Sequence, residues 1–385
     1  MRILDLTTLY IDGGEGGVNT YLHEKARTLE ARGDACHVLV VPGERDEQRA
    51  LFGSTVHVIA SRRLPSNPQH RVLTRFAEVQ RIIRDERPDV VEVDCAYLLG
   101  KVAAQALAPR SVPVIGFYHV HLPTFIARPR VASLGGLVAS TAERWTWRYV
   151  DYCSRACDRI VVSSRDMQGR LLGAGYPHLD LIPLGVNHEL FRAAAGGPRG
   201  PDDPLRILYV GRLSREKDVD VLLDAFFRLR PREGYRLDVV GDGPVREELQ
   251  ARAGRDPRVR LLGGCPYGPE LVRRYADADV LAVPSPNDTF NLTVLEGLAA
   301  GLPVVAMRQG GPAELLTDAV GALARPGDAA DLARCLAEVG RRRIDPELCR
   351  AHVASQYSWE RTFERLLEVY EAAIRTKRGA HSPAV

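Results

Sequence analysis

Apolar runs and amphipathic stretches alternate along nearly the whole chain. "RILDLTTLY" reads as a strand, "NTYLHEKARTLEARG" as a helix closed by Gly33, and "HVLVVPG" as the next strand. Further on, "EVQRIIRDERP" has a helical period, while "DVVEVD", "VPVIGFYHV" and "DRIVVSS" are short apolar runs. Runs that are apolar on both faces suit a parallel sheet, and the intervening helices would cover it on either side. At "RAAAGGPRGPDDP" the rhythm gives way to a polar Gly/Pro-rich stretch, which reads as a linker. It resumes with "LRILYVGRLS", "VDVLLDAFFRLR", "YRLDVVGDGP", "VREELQARA", "RVRLLGG", "ELVRRYADA", "DVLAVPS" and "LPVVAM". "SWERTFERLLEVYEAAIRTKRG" is the last helical pattern, expected to pack back on the first domain, and "AHSPAV" is a loose tail.

The expected architecture is α/β, with two Rossmann-like, doubly wound parallel-sheet domains facing across a cleft. The first spans 1–191, a linker 192–204, the second 205–357, and the closing helix 358–379. Ligands of such sheets bind at the carboxyl ends of the strands, so the chemistry is sought in the loops that follow them.

Composition narrows the reading. With 385 residues, 45% hydrophobic and 26% charged, the chain is an ordinary globular one of two-domain length. A net charge of +3 gives no reason to expect a nucleic-acid partner. The cations are nearly all arginine. Lysine occurs only at Lys25, Lys101, Lys217 and Lys377, so a lysine inside a motif stands out. The seven cysteines are scattered, and Cys153 and Cys157 lack a second ligand pair, which favours reduced thiols over a zinc site. "MRILDLTTLY" enters a strand without the apolar core of a secretion signal, and no apolar run approaches the ~18 residues of a membrane span. The expected place is the cytoplasm, with contact at the inner membrane surface left open.

Four loops carry chemistry. In "YVGRLSREKDVDVLLDAF", Arg212 and Lys217 follow a strand, where two cations can converge on one diphosphate; two ordinary surface cations are the alternative. "VVGDGP" lets backbone approach a ligand at Gly241 but lacks the G-x-G-x-x-G spacing, and glycine there also serves turn geometry alone. "DGGEGGVNTYL" puts Gly16 and Gly17 before a helix whose positive end would meet an anion, unless the loop is merely floppy. "NDTFNLTVLEGLAAGLPVVA" sets Asp288 in a turn and Glu296 within the next helix, with the amides of Phe290, Asn291 and Leu292 at its start. Read blandly, Asp288 is an N-cap and Glu296 a surface acid.

Together with "GGVNTY", "YHVHLP", "VVSS", "PLGVN" and "PSPNDTF", in this order, these motifs resemble the GT-B glycosyltransferases of retaining family 4 over nearly the whole chain. "YHVHLPTFIARP" further resembles the subgroup of sulfolipid synthases, diacylglycerol glycosyltransferases and phosphatidylinositol mannosyltransferases. The resemblance implies a hexosyl transfer from a UDP- or GDP-sugar to a hydroxyl of a lipid, glycan or natural product. Glu296 would hold the ribose, Arg212 and Lys217 the diphosphate, and Asp288 with the amides 290–292 the donor sugar. Gly17 would let backbone approach the phosphates, His119 would lie near the reacting bond, and the turn around Cys265 would border the base. Many relatives have glutamate where this chain has Asp288, which leaves the sugar contact in doubt.

His119 and His121 alternate on an extended segment, so one of them faces a site at a time; the motif favours His119, and His121 reads as structural. No metal or other cofactor is expected if Arg212 and Lys217 neutralise the diphosphate. "DAD" at Asp277 to Asp279 precedes a strand and is discounted as a metal motif. For the acceptor, the basic "ASRRLPSNPQHRVLTRF" suits an anion or lipid headgroups, and Trp145 with Trp147 suits a membrane interface; a solvated loop and a packed helix are the competing readings. Two other function classes stay in play: a nucleotide-sugar isomerase or epimerase on the same scaffold, and a non-catalytic nucleotide-sugar-binding module.

Overall fold

The runs that are apolar on both faces become the inner strands of two sheets. The structure is a computed structural model and describes residues 1–12, 14, 16–64, 67–94, 98–108, 111–122, 136–192, 203–229 and 234–379. Most of the expected linker (193–202), the terminal tail and most of "LPTFIARP" lie outside the described residues.

The first part of the chain runs through β1 (Arg2–Thr7), β2 (Cys36–Gly43), β3 (Glu47–Leu51), β4 (Ser54–Ala60), β5 (Arg62–Leu64), β6 (Asn67–Val72), β7 (Val90–Asp94), β8 (Val114–Phe117), β9 (Arg159–Val162) and β10 (Leu179–Leu181). Eight of these form one sheet in the order β10-β9-β8-β7-β1-β2-β4-β3. The second sheet uses β11 (Leu205–Val210), β12 (Tyr235–Val240), β13 (Val259–Gly263), β14 (Val280–Val283), β15 (Val304–Met307) and β16 (Gly321–Ala324) in the order β13-β12-β11-β14-β15-β16. Its pairings are all parallel. Two doubly wound α/β sheets are therefore present, as the rhythm of the sequence implies.

The first sheet departs from that rhythm at one edge. β3 and β4 pair antiparallel through the turn Phe52–Gly53, since two residues cannot carry a parallel crossover. Glu47, Gln48 and Arg49 make this edge strand polar, which discourages pairing with other chains. β5 and β6 form a separate antiparallel ribbon within the stretch expected to be a basic loop. Part of its charge is paired: Arg63 and Arg71 both donate to Glu44 Oε1, at 2.8 and 2.5 Å, and Arg75 pairs with Asp46. The two tryptophans also part company. Trp145 is 66% exposed with Arg148 over its ring, whereas Trp147 packs edge-on against His121.

The chain forms two compact units, Met1–Pro183 with Trp359–Val385, and Leu184–Ser358. It passes between them at Pro183 and Leu184, so the short helix His188–Arg192 counts with the second unit, although the sequence pattern placed it before the linker. There Phe191 is fully buried, edge-on to Tyr275 at 5.4 Å. In the second unit, the helix Val219–Arg228 buries Val219, Leu222, Leu223 and Phe226, the i, i+3, i+4, i+7 stripe of its pattern. Each such side chain contributes about 2 kcal/mol of burial.

The first unit encloses a polar core. Lys25, on the helix Gly17–Arg32, donates to Asp5 Oδ1 at 2.7 Å, Glu92 Oε1 at 2.9 Å and the Tyr370 hydroxyl at 2.7 Å. Tyr21 donates to Glu92 Oε1 at 2.6 Å, Tyr370 to Glu92 Oε2, and His37 bridges Asp5 Oδ2 to Ser54 Oγ. Tyr370 belongs to the last helix, Trp359–Gly379, so this network ties that helix to β1 and β7. Burial pushes Asp5 up, but Lys25 and His37 outweigh it and hold the carboxyl below its ordinary value. Glu92 goes the other way. Burial, with Asp5 and Asp94 nearby, outweighs Lys25 and raises its carboxyl from 4.5 to about 7.

Because the folded carboxyl binds its proton more tightly than the unfolded one, its stabilising effect is complete below about pH 4 and is lost as pH rises through about 7. Glu92→Gln should flatten that fall. The difference in urea-unfolding free energy between pH 5 and pH 8 is expected to shrink by about 2–3 kcal/mol. An unchanged difference would place the titration elsewhere.

Candidate functional site

In the second unit the strand order reverses between β11 and β14, the kind of switch point where the loops after two neighbouring strands diverge. Most of the expected residues sit on those two loops. Arg212 follows β11, and Lys217 ends a short 3-10 turn, Arg215–Lys217. Tyr209, buried under the loop, donates to the Arg212 carbonyl at 2.8 Å and holds the turn. The Arg212 guanidinium is partly buried, and no side chain among the described residues forms an ion pair or hydrogen bond with it. Burial lowers its proton affinity from the ordinary arginine value, against the pull of Glu216. A guanidinium desolvated in this way is suited to meeting an anion.

Asp288 is not an N-cap. Its Oδ1 accepts from Lys217 Nζ at 2.6 Å and its Oδ2 from Asn291 Nδ2 at 2.6 Å. The Asn291 side chain, at the N-cap position, does not cap the helix Leu292–Ala299. Glu296 lies within that helix and is 8% exposed rather than on the surface; its Oε2 accepts from Tyr275 at 2.6 Å. Phe290 is buried near Tyr357, so any ligand contact there falls to its amide. Gly297 packs on β14, where a Cβ would come 2.6 Å from a Leu281 methyl.

Gly241 has a packing reason of its own. A Cβ there would lie 1.8 Å from the Gly211 carbonyl, so the "VGDGP" turn presses on the loop of Arg212 whatever it binds. Cys265 is half-buried on the turn after β13. Asp277 ends the helix Pro269–Ala276, and Asp279 accepts from the Arg206 amide; neither joins a metal-holding group among the described residues.

The first unit holds the remaining residues. Gly16 and Gly17 open the helix Gly17–Arg32, and the loop before it is pinned: Asn19 Nδ2 donates to the carbonyls of Ile11 and Gly14, and its Oδ1 accepts from the Ile11 amide. Asp94 Oδ1 accepts from His119 Nε2 at 3.0 Å, and the His119 ring lies flat on Phe117 at 4.1 Å. His121 faces different neighbours, Tyr118 and Trp147, and burial lowers it to about 4, as a structural histidine would be. Nothing in the residue order marked Tyr275 or Asn19, and the Asp94 contact was signalled only by the carboxylate that ends "DVVEVD".

Comparison with known proteins covers both units. A family described as "Glycosyltransferase Family 4" matches residues 15–190, and one described as "Glycosyl transferases group 1" matches residues 204–341. The chain is 28% identical to the sulfoquinovosyl transferase SQD2 of Arabidopsis thaliana, over 95% of this chain and 72% of that protein. It is 31% identical to a GDP-mannose-dependent alpha-mannosyltransferase of Mycobacterium tuberculosis, over 72% of this chain and 70% of the relative. Among solved structures, the Anabaena protein HepE in complex with UDP-glucose superimposes with a TM-score of 0.71 at 19% identity, covering 97% of this chain and 100% of HepE.

Proposed function

This chain belongs to the group 1 and family 4 glycosyltransferases, and on that premise we propose that it transfers a hexosyl group, with retention, from a UDP- or GDP-sugar to a hydroxyl of a lipid, glycan or small-molecule acceptor. The observation that carries this reading is the partly buried Arg212, without a side-chain partner among the described residues, on the loop after β11 that also carries Lys217. Breaking the anomeric bond builds negative charge on the departing diphosphate and positive charge on the sugar. Fixed cations and amide donors aimed at that oxygen lower the barrier without reorganising. Arg212, Lys217 and the amides 290–292 take this part, so the reading calls on no metal. In the second unit Glu296 accepts the ribose hydroxyls, Asp288 serves the sugar, and Gly241 and Cys265 border the nucleotide; for Gly16, Gly17 and His119 of the first unit, the parts on the phosphates and at the reacting bond rest on the family resemblance alone. The names of the relatives, one GDP-mannose-dependent and one bound to UDP-glucose, support a nucleoside-diphosphate sugar of either base. No helix among the described residues is long and apolar enough to cross a membrane, and a peripheral contact at Trp145 is part of the proposal only where the acceptor is a lipid.

The test is nucleotide release from UDP-glucose, UDP-galactose, UDP-sulfoquinovose and GDP-mannose, with and without lipid and glycan acceptors, and anomeric configuration of the product by NMR. Transfer with an α product from an α donor is expected. Isomerised donor without free nucleotide, or binding with no turnover, would overturn it. Tyr275→Phe supplies a narrower check. Without its hydroxyl, Glu296 loses the donor that orients it, so nucleotide affinity by calorimetry should fall about fivefold while kcat holds. Equal affinity would remove Glu296 from the ribose.

A further inference from the structure

Asn291 stands where a side chain is costly. Its backbone is at φ 87°, ψ 94°, a conformation that L residues rarely adopt and that glycine enters without a Cβ clash. An asparagine before a helix ordinarily earns its place by accepting from the first-turn amides, but Asn291 makes no such bond. Its Oδ1 is enclosed and has no hydrogen-bond partner among the described residues. Among the described residues, the one polar contact of the side chain is the donation from Nδ2 to Asp288 Oδ2 at 2.6 Å. Turned the other way, the amide would set its oxygen against a carboxylate, so charge selects this orientation.

The consequence falls on Lys217. Asp288 is held at three points: Oδ2 by Asn291, Oδ1 by Lys217, and its own carbonyl by the Gly311 amide at 2.9 Å. With Oδ2 occupied, the carboxylate meets the ammonium through a single oxygen. An ammonium has three donors, and the bond to Asp288 is the one hydrogen bond of Lys217 among the described residues, which leaves two for an anion. Without Asn291, the carboxylate is free to turn both oxygens on Lys217 and quench it.

We propose that the Asn291 side chain is a positioning residue, which divides the Asp288 carboxylate so that Lys217 stays half-committed and open to the donor diphosphate. This deepens the function proposed above and rests on its placing of Lys217. Two substitutions test it. N291G suits the backbone and removes the donor. N291D keeps size and shape but presents a second carboxylate, which regains a donor only when the pair shares a proton at lower pH.

The probes are inorganic pyrophosphate, whose affinity is read by calorimetry, and whichever donor sugar the wild type turns over. Both variants should bind pyrophosphate about fivefold more weakly at pH 8. Turnover should fall about tenfold, and Tm should stay within about 2 °C of wild type. The N291D deficit should shrink between pH 8 and pH 6 while that of N291G does not. Wild-type pyrophosphate affinity in either variant, a pH-independent N291D deficit, or a loss of activity that follows a fall in Tm would overturn the proposal. If the pyrophosphate pattern holds but no donor sugar is consumed by the wild type, the positioning role stands and glycosyl transfer falls.

Discussion

Lys217→Ala is expected to lower turnover about a hundredfold while nucleotide affinity changes far less. The ammonium lies on the loop after β11 and meets Asp288 at 2.6 Å, in a part-buried setting where water screens it poorly. Its worth to the reaction grows as charge develops on the leaving oxygen, so its loss appears in kcat more than in binding. One complication is that alanine also strips Asp288 of its counter-charge, and a bare carboxylate would itself repel a diphosphate. Adding Asp288→Asn separates the two effects. If the ammonium acts directly, the double variant stays as slow as Lys217→Ala; if repulsion is the cause, it recovers. Single-turnover kinetics with saturating donor make the measurement, and a wild-type rate in Lys217→Ala would end the leaving-group role.

The largest effect on stability is expected in the first unit. Lys25→Met should destabilise the first unit by about 3–5 kcal/mol, because it leaves buried Asp5 and Glu92 without their shared cation. Both acids and Lys25 are at most 1% exposed, so water cannot step in. Methionine fills the volume, which isolates the charge from a cavity effect. The deficit should shrink at pH 5, where both carboxyls can take up protons, and urea unfolding at pH 5 and pH 8 measures it. A loss below about 1 kcal/mol at pH 8 would mean that the network is hydrated or already neutral. Since Tyr370 also leans on Lys25, Lys25→Met should loosen the last helix, seen as faster amide exchange there.

The two predictions differ in how far they could be read from the chain. Lys217 announces itself: it is a rare lysine in an arginine-rich chain, six residues after a strand-ending glycine and followed by an amphipathic helix. Lys25 is just as rare, yet nothing beside it marks it as buried, because its partners are 20, 67 and 345 residues away. The same holds in the second unit. The spacing of Asp288 and Glu296 was legible, but that Asp288 is shared by Lys217, 71 residues earlier, was not. Nor was the burial of Glu296 under Tyr275.

Local pattern decided the strands, the helices, their alternation into two doubly wound sheets, and the loops that carry chemistry. These depend on neighbours two to four positions apart, which the order of residues displays directly. The antiparallel edge at β3 escaped because polar residues hide the period, and its pairing depends on β4 being there to receive it. Packing decided the rest: which acid meets which base, which oxygen of Asp288 each partner takes, and which charges are cut off from water. Such contacts join residues far apart in the chain, and their strength is set by burial and geometry, quantities that exist only once the chain has closed on itself.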